Sequence, residues 1–197
     1  MTTPSRRLTR AESKERTRQR LVDAATTLFL RDGFRATTLE QIGDEAGYTR
    51  GAVYSNFASK TEVGIAVIDR LYADVEERLE QALRRDDWLA AMTSWADESI
   101  GDPAWMRLEL EIAALSVTDD SYLAATAARY ARLRQRAREL VAECLGGEVS
   151  ETMAVAVLGM LLGVGAQRAA DPSIPGSAWT ELLAQLLGPR SRRDWGR

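Results

Sequence analysis

Between positions 39 and 57 the apolar residues recur at helical spacing. Leu39, Ile42, Gly43 and Ala46 fall at i, i+3, i+4 and i+7, with Glu40, Gln41, Asp44 and Glu45 on the other side. That pattern predicts an amphipathic helix of about two turns with one face inward. Thr38 with Gln41, or Thr37 with Glu40, supplies a capping box at its start, so either register is available. Gly47 follows the last apolar position, where a helix stops most easily in a left-handed residue without a Cβ. Thr49 then caps a second helix. In it Val53 and Phe57 point back toward the first, and Arg50, Gly51, Ala52, Tyr54, Ser55 and Asn56 lie on or beside the free face.

The same spacing organises the rest of the chain. A helix from about Arg10 to Arg31 carries Leu21, Ala24, Ala25, Leu28 and Phe29 as its inward stripe, and Gly33 ends it. A long helix from about Lys60 to Arg85 carries Val63, Val67, Ile68, Leu71, Val75, Leu79 and Leu83. Further helices are predicted at about Asp87 to Ser99, Pro103 to Val117, Asp119 to Leu145, Ser150 to Ala170 and Ser177 to Leu187. Gly, Pro and Asp punctuate the gaps between them. No strand pattern, internal repeat or low-complexity tract competes, so the fold class is all-α. The expected division is a three-helix head over 1–59, a larger helical domain over 60–190 and a tail over 191–197. Val155, Leu158, Gly159, Leu162, Gly163 and Ala166 form a stripe whose small residues let another helix come close. Trp179, Leu182, Leu183, Leu186 and Leu187 form a second stripe. The longest apolar run, Met153 to Ala166, has 14 residues and reads as a buried helix too short to span a bilayer.

Two short helices joined by a glycine turn make a helix-turn-helix, whose second helix is sized for the DNA major groove. Gly51 and Ala52 would let its backbone approach the duplex. Arg50 can reach guanine edges or phosphate, Asn56 can reach adenine or phosphate, and Tyr54 and Ser55 carry hydroxyls suited to phosphate oxygens. Ser59 and Glu62 form another capping box around Lys60, a candidate phosphate clamp at a helix start.

Gly33-Phe34, Thr37-Thr38, Ile42, Ala46-Gly47, Gly51, Tyr54, Phe57 and Lys60 stand in the order and spacing of the TetR (tetracycline-repressor-like) regulators, which residues 13 to 63 resemble. Gly43 stands where alanine is usual, Tyr48 where valine is usual and Thr49 where serine is usual. None of these removes a motif position, and Tyr48 at the turn adds a candidate base or sugar contact. The resemblance implies DNA contacts from Thr37, Thr38, Tyr48, Thr49, Arg50, Gly51, Ala52, Tyr54, Ser55, Asn56 and Lys60. It also implies a twofold homodimer through the last two helices, formed here by Val155, Leu158, Gly159, Leu162, Gly163, Trp179, Leu182 and Leu186. A repressor is implied, bound to a palindromic operator and released by a small-molecule inducer. A transcriptional activator, or a helical interaction module, is the alternative.

Charge supports that division. The net charge is -3, yet residues 1–60 hold 11 Lys/Arg against 7 Asp/Glu and the remainder holds 15 against 22. Arg6, Arg7, Arg10, Lys14, Arg16, Arg18 and Arg20 form a cationic arm able to displace counterions from phosphate. With no histidine, serine and cysteine triads and most zinc sites are unavailable, and no phosphate-binding glycine loop appears. No catalytic residue, metal or cofactor is expected. The lone Cys144 reads as a small buried hydrophobe, and the polar start lacks a signal peptide's apolar core, which fits a soluble cytoplasmic protein that does not engage membranes. For the inducer, Trp88, Met92, Trp95, Trp105 and Glu109 are the candidate contacts in the second domain. Glu109 lies on the apolar side of its helix, so it needs a partner: a cationic or hydroxylated ligand, or an arginine or backbone donor.

Overall fold

Eight α-helices follow one another in the computed structural model, which describes residues 9–99, 102–115, 119–145 and 148–181. They are α1 (Arg10–Asp32), α2 (Leu39–Ala46), α3 (Arg50–Asn56), α4 (Lys60–Leu83), α5 (Trp88–Ser99), α6 (Pro103–Leu115), α7 (Asp120–Leu145) and α8 (Glu151–Ala170). A further helical turn begins at Ala178, and the remainder of the last predicted helix, with Leu182 and Leu186, lies outside the described residues. No strand occurs among the described residues. The chain divides into two units, Met1–Ile68 and Asp69–Arg197, so the division falls within α4 and not at its start.

In the first unit, α1 packs on α2 and α3, and α2 packs on α3. The reason is the stripe geometry. Leu21, Ala25, Leu28 and Phe29 of α1, Ile42 of α2, and Val53 and Phe57 beyond the turn are nearly inaccessible to water. Each fully buried large apolar side chain contributes about 1.5–3 kcal/mol. The Phe29 and Phe34 rings meet at 5.1 Å and 57°. Thr9 caps α1 through a reciprocal pair with Glu12, whose carboxyl is held below the usual range by accepting hydrogen bonds from the Thr9 backbone and side chain.

In the second unit, Ala82, Leu83, Met92, Trp95, Ala96, Leu140 and Trp179 form one buried cluster. Trp95 and Trp179 meet edge to face at 5.7 Å and 81°, and the Trp95 indole donates to the Val75 carbonyl at 3.2 Å. After α8 the chain turns at Asp171, whose Oδ1 accepts from the Ser173 backbone and hydroxyl, and returns against α5. There Ser177 N donates to Asp97 Oδ1 at 3.0 Å. Gly176 makes this approach possible, because a Cβ there would stand 2.7 Å from both the Ala96 carbonyl oxygen and the Asp97 Cα. Backbone atoms cannot rotate aside, so Gly176→Ala is expected to destabilise the unit by about 1–3 kcal/mol. A thermal melt indistinguishable from that of the parent would contradict this close packing.

The helix α8 departs from its predicted burial. Its buried residues are Ala154 and Gly165, while Met153 and Val155 are each 51% exposed. By length and composition it is the one candidate membrane span among the described residues. The apolar run read from the sequence lies within a 20-residue helix whose stripe is exposed at Val155 and Gly159 and half-buried at Leu158, Leu162, Gly163 and Ala166.

Candidate nucleic-acid interface

Helix α2 starts at Thr38: its hydroxyl accepts from Gln41 N at 3.2 Å, and Gln41 Oε1 accepts from Thr38 N at 2.8 Å. Gly47 takes the left-handed conformation (φ 73, ψ 31) and turns the chain. Thr49 accepts from Ala52 N at 3.4 Å and starts α3. Because Val53 and Phe57 are pulled into the core, the opposite side of α3 faces water. Arg50, Gly51, Tyr54 and Ser55 are exposed there, Tyr54 by 45%, beside the exposed caps Thr38 and Thr49 and the half-buried Ala52.

Arg50 reaches across to α2, its Nε 3.2 Å from Glu40 Oε1, and its guanidinium lies 5.4 Å from the Tyr54 ring centroid. Both charged groups of that pair are well exposed, which makes it weak and readily exchanged for a phosphate. The Ser55 hydroxyl donates to the Ala52 carbonyl at 2.9 Å and accepts from Asn56 Nδ2 at 3.3 Å, so its donor is already engaged within the helix.

Several predicted contacts are placed elsewhere. Thr37 is 2% exposed and its hydroxyl donates to the Gly33 carbonyl at 2.9 Å, so it closes the turn after α1 and presents no side chain to a ligand. Asn56 spends its amide donor on the Ala52 carbonyl at 2.8 Å, and its Oδ1 is buried. Lys60 bends back, its Nζ donating to the Arg35 carbonyl at 3.2 Å and standing 4.5 Å over the Phe34 ring. An ammonium has three donors, so a phosphate would have to share Lys60 with the partners it already has.

The basic arm divides in the same way. Arg10, Lys14, Arg16 and Arg20 are exposed, whereas Arg6 and Arg7 lie outside the described residues. Arg18 is structural: Nη1 donates to the Asn56 carbonyl at 2.9 Å and to Glu62 Oε1 at 3.2 Å, and its Cζ stands 4.1 Å over Phe57. It ties the end of α3 to the start of α4. The Tyr48 phenol is held below its ordinary pKa first by a hydrogen bond with Thr17, then by Arg20 and Arg16, which sets the turn beside the cationic edge of α1. Tyr48 is thereby half-buried and serves the turn as well as its outer edge. Two substitutions separate these roles. Arg16→Ala is expected to reduce the salt slope of DNA binding by about 0.9, the release of one counterion. Arg18→Ala should leave the slope unchanged but speed amide exchange at the end of α3. Equal slopes for both variants would contradict the division.

The second unit contains a cavity of about 120 Å³ with an apolar wall. Trp95 and Trp105 line it as candidate ligand contacts, with Tyr72, Ser99, Met106 and Leu140 unforeseen. Leu158, Leu162 and Trp179, expected at a dimer surface, also line it. Trp179 is 3% exposed and belongs to the core, so it is withdrawn from that surface. Trp88 and Met92 pack in the core cluster, which shares Trp95, Leu140 and Trp179 with the cavity wall, but do not themselves line the cavity.

Glu109 is 5% exposed, as its place on the helix predicted, but it does not line the cavity. Its Oε1 accepts from the Tyr130 hydroxyl at 2.8 Å, so its partner is a phenol and neither an arginine nor a backbone donor. Burial first, and then the charge of Glu109, push the Tyr72 and Tyr130 phenols above their ordinary pKa. Arg129, 2% exposed, donates from Nε to Asp69 Oδ1 at 2.8 Å, with its Cζ 5.6 Å from the Tyr72 ring. The side chain of Cys144 lies outside the described residues. No cluster of metal-ligating side chains occurs among the described residues.

Residues 21–67 match the family model described as "Bacterial regulatory proteins, tetR family". An uncharacterised HTH-type transcriptional regulator, TtgW of Pseudomonas putida, is 53% identical over 62 residues, which are 32% of this chain and 46% of that protein. The HTH-type transcriptional activator FasR of Mycolicibacterium smegmatis is 35% identical over 80 residues, 41% of this chain and 36% of that protein. The matched segments thus span less than half of these curated relatives. Among solved structures, SmeT, the repressor of the Stenotrophomonas maltophilia multidrug efflux pump SmeDEF, superposes with a TM-score of 0.58 at 24% identity, covering 89% of this chain and 92% of that one. Its triclosan complex gives 0.63 at 24% identity, covering 87% and 91%. At that identity the likeness speaks for the fold.

Proposed function

From the premise that the chain belongs to the tetR family of bacterial regulatory proteins, we propose that it is a cytoplasmic transcriptional repressor that binds a palindromic operator as a homodimer and leaves it when a small molecule occupies the second unit. The observation that carries this reading is the outward face of α3. A seven-residue helix capped by Thr49 presents an exposed cation, an exposed phenol and a glycine on one side, while Val53 anchors the other side in the core. Small residues at the front admit the backbone to a groove, and the surrounding charge of residues 1–60 favours phosphate.

The partly exposed stripe of α8 supports the dimer. A Cβ at Gly159 or Gly163 would meet nothing within 4 Å, so these positions leave a shallow apolar strip flanked by Val155. A second copy of the same helix fits that strip about a twofold axis, with Leu158 and Leu162 shared between the strip and the cavity. Release requires communication, and α4 is the element that both units share. Moving the bound population from nearly all to nearly none requires about 5.5 kcal/mol of differential ligand affinity.

Selection of binding sites from random duplexes with the full-length protein tests the proposal. Enrichment of a palindrome whose binding weakens steeply with salt is the expected result. Recovery of no preferred sequence would sink the regulator reading. A reporter that falls when the gene is deleted would replace repression by activation, the direction that FasR's name carries.

A further inference from the structure

Helix α7 packs closely on α6 and α8, and toward α4 it reaches with arginines. Arg129 Nε and Arg132 Nη2 lie 2.8 and 3.3 Å from Asp69 Oδ1, and Arg136 Nη2 lies 2.6 Å from Glu80 Oε2. Of these three cations, Arg136 also lines the apolar cavity. Its side chain is 31% exposed, as is that of Glu80, so this pair closes the cavity on an edge that meets water. The half-buried Leu158 and Leu162 of α8 belong to a different wall, the one assigned above to a second subunit.

Both members of the Arg136–Glu80 pair hold a second partner on their own helix. Arg136 Nη1 lies 3.5 Å from Glu139 Oε2, and Glu80 Oε1 accepts from Arg84 at 2.7 and 3.1 Å. Different atoms serve the two directions: Nη2 and Oε2 face across the edge, while Nη1 and Oε1 face along the helices. The guanidinium can therefore swing off Glu80 toward Glu139 without leaving either charge unmatched, which keeps the parting inexpensive. Glu76 lines the same cavity, and burial pushes its carboxyl above its ordinary pKa while Arg132 and Arg136 oppose the shift. Water admitted at this edge would relieve that burial. We propose that Arg136 is the gate of the cavity: held by Glu80 it shuts the edge between α4 and α7, and swung to Glu139 it admits a small apolar molecule. The proposal rests on reading the second unit as the sensing domain, and it assigns entry to an edge distinct from the α8 strip.

Thiol labelling of the full-length protein tests it without any known inducer. With Cys144→Ser removing the single native cysteine and Ala154→Cys placed on the cavity wall, methyl methanethiosulfonate reports how often the interior is reached. Ala154 is 3% exposed, so the reporter should react far more slowly in the folded protein than in the unfolded chain. Arg136→Met keeps the stem and loses the charge, and it should speed labelling about fivefold, the strength of one good exposed ion pair. Arg136→Lys should stay near the slow rate. Salt at about 1 M should bring the reporter protein up to the Arg136→Met rate and leave that variant unmoved, because the pair is screened. Arg134→Met removes a cation that lines the same cavity but is tied to Glu151 of α8, so it controls for general loosening and should leave the rate unchanged. A reporter open from the start, an unchanged rate in Arg136→Met, equal acceleration by both methionine variants, indifference to salt, or no labelling in any variant would overturn the gate. Operator selection is read separately, so a gate that fails beside intact operator binding leaves the regulator reading standing. A protein gated as described that selects no operator shows the reverse.

Discussion

Gly159→Arg is expected to turn the protein into a monomer that still folds and that binds a full palindrome about 10²–10⁴-fold more weakly than the parent. In the isolated chain the position is open, since a Cβ there meets nothing within 4 Å and the residue is exposed. Replacing a mid-helix glycine also favours the helix by about 0.5–1 kcal/mol, so stability should hold or rise. In a twofold interface the same arginine faces its own symmetry mate near the axis, and two like charges would have to leave water together. Once the subunits separate, the second recognition helix loses the effective concentration that tethering supplied, which accounts for the expected range. Sedimentation equilibrium reads the assembly, and gel shifts on half-site and full-site duplexes read the affinity. A variant that stays dimeric with parental affinity would place the interface elsewhere.

The reason this site could be chosen from the sequence is that helical periodicity reports which side of a helix is apolar. It does not report what covers it. For α1, α2 and α3 the covering partners are close in the chain, and the stripes Leu21 to Phe29, Leu39 to Gly43 and Val53 to Phe57 are buried as their spacing predicts. The caps were equally legible, being local: Thr38 with Gln41 and Thr49 before α3 form as the motif chemistry requires, and Thr9 with Glu12 shows the same signature. Contacts across long separations were not. Arg18 meets Asn56 and Glu62, 38 and 44 residues away, so nothing nearby distinguishes it from its phosphate-facing neighbours. Thr37 and Asn56 look polar and available until the fold buries their hydrogen-bonding atoms.

The second unit shows the same limit more sharply. The wheel position of Glu109 predicted its burial, but Tyr130 is 21 residues distant and on another helix. Trp95, Trp105 and Trp179 reach one cavity from three separate segments, while Trp88, of the same residue type, does not line it. Tyr72 could have been found: Ile68, Tyr72, Val75 and Leu79 share a helical face at steps of four, three and four, and Tyr72 is 4% exposed. For α8 the composition predicted the apolar helix, whereas the stripe, expected at a dimer surface, is exposed at Val155 and Gly159 and half-buried at Leu158 and Leu162, and periodicity alone does not report what covers it.

Removing both Arg50 and Tyr54 side chains is expected to weaken operator binding by about 10²-fold or more, since each contact of this kind contributes about 1–3 kcal/mol. Fold stability should be untouched, because both side chains are exposed and Val53 and Phe57 hold α3 in place. The single variants then separate two kinds of contact. If Arg50 meets phosphate, Arg50→Ala lowers affinity uniformly across sequences and reduces the salt slope by about 0.9. If it meets a guanine edge, the loss concentrates at one base pair and specificity there relaxes. Glu40→Gln supplies the opposite sign. The Glu40 carboxylate, 3.2 Å from the Arg50 Nε, competes with DNA for that guanidinium and adds a negative charge beside the duplex. Neutralising it should tighten binding severalfold at low salt and have little effect at high salt, where the charge is screened. Parental affinity in the double variant, on a duplex obtained by selection, would remove the outward face of α3 from contact with DNA.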